Sequence, residues 1–129
     1  MVWLAFLQIV IVVVEIPFKE LEIYLVYGHV FLGLVILGLA HYNNAQIKKT
    51  EAPSRLKRIA KSTAILATIQ PIFGVILLAN IMMPYNTTLA SLRWIVLLLH
   101  VMTALAIITQ ASSVATAYDM WEEKEYTKP

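Results

Sequence analysis

Three histidines are the residues of this chain best suited to chemistry, and two of them, His29 and His100, stand inside long apolar runs. An ionisable side chain in such a run is costly in a bilayer and marks a site by default. The two runs resemble one another. His29-Val30 opens HVFLGLVIL and His100-Val101 opens HVMTALAII, with matches at Leu34 and Leu105 and at Ile36 and Ile107. On a helical rise, His29 lies roughly 9 Å past the start of its run and His100 roughly 12 Å past Leu92. If both helices run the same way, the imidazoles meet at one level. Two facing imidazoles suit the axial positions of a haem iron, and helical bundles build cofactor sites from facing helices. Gly28 and Gly33 bracket His29, and Thr103 and Ala104 follow His100 by about a turn, leaving room for a flat macrocycle. Arg93, seven residues before His100, is two turns up the same face and suits a haem propionate. The expected set is therefore His29 and His100 on the iron of a haem b, with Arg93, Gly28 and Gly33 around it.

Other chemistry is open to these residues. Intramembrane histidines also hydrogen-bond between helices. Zinc or copper would need more ligands than two, and Glu15 is a further donor near the same level. Glu15 is otherwise a headgroup-level charge or a proton relay. His41 is twelve residues past His29, about 18 Å along a helix. It is expected at the interface beside Tyr42, and no second haem is expected. Gln70-Pro71 reads as a proline kink whose Gln amide bonds the freed backbone, or as a Gln facing haem or quinone.

The 129-residue chain allows one domain. It is 60% hydrophobic and 14% charged, where a soluble domain is about half apolar and a quarter charged. Its mean hydropathy is +0.74. The net charge of +2 gives no nucleic-acid partner, and the absence of cysteine excludes disulfides and thiolate sites. Four runs approach the length of a span: about 2–18, 23–40, 62–83 and 92–118. The first sixteen residues have the hydrophobicity of a signal peptide without its basic start or small-residue cleavage site, and read as a retained helix.

Charge sets the expected orientation. Six of the ten basic residues, Lys48, Lys49, Arg55, Lys57, Arg58 and Lys61, fall in or beside segment 41–61. The positive-inside rule makes that segment a cytoplasmic loop. Both termini are then cytoplasmic, with a charged tail at 119–129, and the turns around Lys19 and Pro84 are external. Tyr85 and Trp94 suit the external aromatic belt, and Tyr118 and Trp121 the internal one. Asn86-Thr87-Thr88 matches a glycosylation acceptor on the expected external side, and is equally an unmodified polar turn. The basic residues also suit anionic lipid.

Tyr27-Gly28-His29, the stretch Gln70 to Gly74, and Leu99-His100 with its apolar run together resemble one half of the haem A synthase bundle, or another bis-His membrane cytochrome b. The resemblance covers most of the chain in topology and little in specific sequence. It implies a haem b held by His29 and His100 and, for an enzyme, a haem A synthase-like oxidoreductase. The family has twice this length, and its catalytic half has a longer first external loop, often with a cysteine pair. Here that loop carries Glu20 and Glu22 and no cysteine.

The sequence thus reads as an all-α, integral membrane, up-down-up-down four-helix bundle of the cell membrane. It is expected to be a b-type haem protein in electron transfer or haem and oxidase maturation. Its expected partners are membrane lipid and further copies or a larger membrane complex. The alternative is a cofactor-free accessory subunit of a membrane oxidase or monooxygenase. A transporter is disfavoured by the small size and the scarcity of intramembrane charge.

Overall fold

A computed structural model of the chain describes residues 1–15, 22–82 and 87–126. They form α1 (Val2–Glu15), α2 (Glu22–Lys48), α3 (Ser54–Met82) and α4 (Thr87–Tyr126), with no strand among the described residues. α1 packs on α2 and α4, and α3 packs on the same two helices. The bundle is therefore a closed ring in which α2 and α4 are diagonal partners. Three helices are long and apolar enough to cross a membrane, an 18-residue stretch of α2, α3 and α4 having a mean hydropathy of 2.1, 1.9 and 2.0 respectively. α1 has 14 residues, about 21 Å, against a hydrocarbon core of about 30 Å. The outer faces are apolar: Trp3 is 83% exposed, Phe31 66%, Val75 65% and Leu98 61%. Patches of that kind suit lipid rather than water.

The helices outrun the apolar segments. The expected loop 41–61 is mostly helix: α2 continues to Lys48, α3 begins at Ser54, and 49–53 alone connects them. No Gly or Pro lies between His41 and Lys48, so polar sequence there ends the membrane stretch without ending the helix. Thr50 closes α2, its hydroxyl donating to the Ile47 carbonyl at 2.8 Å and accepting from Ala52 N at 3.3 Å. The Pro53 carbonyl starts α3 by accepting from Leu56 N and Lys57 N at 2.9 and 3.2 Å. α4 likewise takes in most of the expected tail and spans 40 residues, about 60 Å. The described part of α1 ends at Glu15, short of the expected Phe18. Pro17, Lys19, Glu20, Pro84, Tyr85 and Asn86 lie outside the described residues.

Small residues set the packing. Ala5, Ala40, Ala64 and Ala67 are buried with Ile36 and Ile107, and Leu4, Leu66, Leu37 and Ile108 pack against them. Alanine lets helix backbones approach closely, which favours association in lipid. Beyond this waist a second cluster joins Ile47, Ala52, Leu56 and Ala60 to Val114, Tyr118 and Trp121. The bundle thus continues past the apolar stretch as a packed stub of α2, α3 and α4.

The waist carries an internal repeat. Ala5 and Ala67 match at the offset that also pairs Leu4 with Leu66. Ile36 and Ile107 match at the offset that pairs His29 with His100. The repeat visible around the histidines therefore extends to α1 and α3, where LAFLQ (4–8) corresponds to LATIQ (66–70).

Candidate functional site

The diagonal helices bring His29 and His100 together. Their ring centroids are 6.1 Å apart, with the rings tilted by 48°. Both are half-buried. Each is held by a glutamine from the preceding helix. Gln8 on α1 donates Nε2–H to the His29 carbonyl at 2.8 Å, and Gln70 on α3 donates to the His100 carbonyl at 3.1 Å. Neither Nδ1 reaches hydrogen-bond geometry, and both are buried, as are the unpaired Oε1 atoms of Gln8 and Gln70. The result is a symmetric pair of glutamine–histidine clamps.

The arrangement can be tested against a haem. An imidazole nitrogen lies about 1.1 Å from its ring centroid and about 2.0 Å from a bound first-row metal, so two imidazoles on one ion have centroids about 6.2 Å apart. The observed 6.1 Å fits. Burial is sparse on one side of the pair. Among the described residues on the α2 N-terminal side of the pair, Val96 alone is buried. On the other side stands the alanine waist. No group of three or more His, Cys, Asp or Glu side chains gathers among the described residues. The donor set therefore suits a metal that brings most of its own ligands, as haem does, better than bare zinc.

The flanking residues differ in what they do. A Cβ on Gly33 would stand 3.2 Å from Gln8 Nε2, so Gly33 makes room for the clamp on its own helix. Around Gly28 nothing lies within 4 Å of such a Cβ. On α3, a Cβ at Gly74 would meet His100 Cε1 at 3.8 Å, an ordinary contact. Arg93 is exposed near the start of α4, its guanidinium 5.9 Å from the Trp94 ring centroid. Thr103 returns its hydroxyl to the Leu99 carbonyl at 2.6 Å. His41 is away from the pair, its Nε2 2.9 Å from Thr68 Oγ1 on α3. The Glu15 side chain lies outside the described residues.

Gln70 corrects one expectation. Its amide bonds the neighbouring helix at His100 rather than backbone freed by Pro71. Gln8 is the site residue that inspection of the histidines alone misses. Its signal is the recurrence of Leu-Ala-x-x-Gln in α1 and α3. The chain matches no family model, no curated protein and no solved structure.

Proposed function

We propose that this chain is a b-type haem protein of the cell membrane, holding one haem between His29 and His100. The observation that carries the reading is the 6.1 Å separation of two imidazoles from diagonal helices. A haem iron with two imidazole ligands exchanges single electrons. The chain's own part is positional. The Gln8 and Gln70 amides fix the backbone that carries each imidazole, Gly33 admits Gln8, and the alanine waist closes one side. Arg93, two turns from His100, would meet a propionate. With the basic stub in the cytoplasm, the histidines lie nearer the external leaflet and both termini are inside. The role that fits such a haem is electron transfer, or service in haem and oxidase maturation, within a larger complex or a homo-oligomer.

The test is the optical spectrum of the purified protein, oxidised and reduced. A low-spin haem b spectrum is expected, lost or turned high-spin in His29→Ala and in His100→Ala. The double variant should be no worse than either single one, because the two ligands act as a unit. A colourless, folded protein from haem-replete cells would sink the reading and leave a cofactor-free accessory subunit.

A further inference from the structure

A second site lies at the other end of the membrane stretch. A shallow groove of about 380 Å³ runs between α3 and α4, lined by Arg55, Arg58, Ile59, Ser62, Gln110 and Ser113. Arg55, Arg58 and Ser62 are spaced three and four residues apart, so they share one helix face. Gln110 is held from behind against Thr63, the two side-chain oxygens 3.1 Å apart. Ser113 is engaged with the Thr109 carbonyl at 2.8 Å and contributes the wall. No carboxylate lines the groove. Two guanidinium groups, one hydroxyl and one amide thus converge from two helices, and every one of them can donate a hydrogen bond. Guanidinium forks match phosphate oxygens geometrically. The groove also sits where the apolar waist gives way to the polar stub, the level of lipid headgroups.

We infer that this groove binds a phosphate group, carried on an anionic lipid headgroup or free in the aqueous phase. The inference rests on the chain's placement in a membrane and is independent of the haem. It differs from a diffuse attraction of basic residues to a charged surface, because Lys57 and Lys61 lie on the same stretch of α3 and do not line the groove.

The experiment uses the full chain in detergent, titrated with phosphatidylglycerol or phosphatidylcholine and followed by native mass spectrometry. One phosphatidylglycerol should be retained in preference to phosphatidylcholine. Arg55→Gln with Arg58→Gln should weaken it about thirtyfold. Lys57→Gln with Lys61→Gln, removing equal charge from outside the groove, should change it by less than about threefold, as for solvent-screened charges. Ser62→Ala keeps the charge and should still weaken retention by about threefold, the loss of one donor. Inorganic phosphate at millimolar concentration distinguishes the sources. Displacement of the lipid, or binding of phosphate alone that the arginine double variant abolishes, identifies free phosphate. A lipid that resists displacement identifies the headgroup. Equal losses in the two double variants, or no preference for phosphatidylglycerol and no phosphate binding, would overturn the site.

Discussion

Gly33→Ala tests the clamp where it can be measured without any cofactor. In a helix interior, replacing Gly by Ala stabilises by about 0.5–1 kcal/mol. At Gly28 nothing opposes that gain, since no atom lies within 4 Å of the new Cβ. At Gly33 the Cβ arrives 3.2 Å from Gln8 Nε2, the atom that donates to the His29 carbonyl at 2.8 Å. Gln8 must retreat, lengthening or breaking that bond. An interhelical hydrogen bond in a membrane protein is worth about 0.6 kcal/mol on average, and up to about 1.7. The two effects at Gly33 therefore nearly cancel or turn unfavourable, and the two alanine variants should differ by about 1 kcal/mol. Unfolding by SDS in mixed micelles, followed by circular dichroism, measures the difference. In a Gln8→Ala background the clash disappears, and Gly33→Ala should recover its full gain, a coupling of about 1 kcal/mol. Equal stabilisation by Gly28→Ala and Gly33→Ala, with no coupling to Gln8, would refute the clamp.

Gln8→Leu and Gln70→Leu should each destabilise by about 0.6–1.5 kcal/mol, and each should shift the reduction potential of bound haem while leaving the ligand set low-spin. His41→Ala should leave the haem spectrum unchanged and cost under about 1 kcal/mol, the loss of one bond to Thr68, read by the same micelle titration. Arg93→Ala should speed haem loss to an apoprotein acceptor without changing the spectrum; an altered ligand spectrum would place Arg93 elsewhere. Reporter fusions after Lys49 and after Lys128 should both be cytoplasmic and one at Asn86 external. A cytoplasmic Asn86 would reverse the orientation and move the histidines to the inner leaflet.

The helical bundle and the meeting of His29 with His100 were legible because both are dictated by long-range regularities. Apolar length fixes helices in lipid, and equal spacing from the helix starts fixes level. The helix ends were not legible, for a physical reason. Hydropathy reports where the membrane stops, whereas α2 runs on to Lys48, eight residues past its expected end, and α3 begins at Ser54, eight before its expected start. Gln70 shows a different limit. An amide beside a proline can bond its own helix or a neighbour, and only the register of α3 against α4 decides for the His100 carbonyl. Gln8 was hidden because a lone Gln in an apolar run looks incidental until its counterpart is aligned with it.

The alanine waist has an electrical consequence. The pair at His29 and His100 stands about 10 Å from the start of α2, roughly a third of the way through the hydrocarbon. The waist beneath it has no titratable side chain among its members, so the pair stands apart from the opposite face. An electron arriving from the nearer side would cross only about a third of the transmembrane voltage. That is roughly 0.8 kcal/mol per 100 mV, against 2.3 for a full crossing. A redox group seated there would respond weakly to membrane energisation, and its reduction would store little of the proton-motive force.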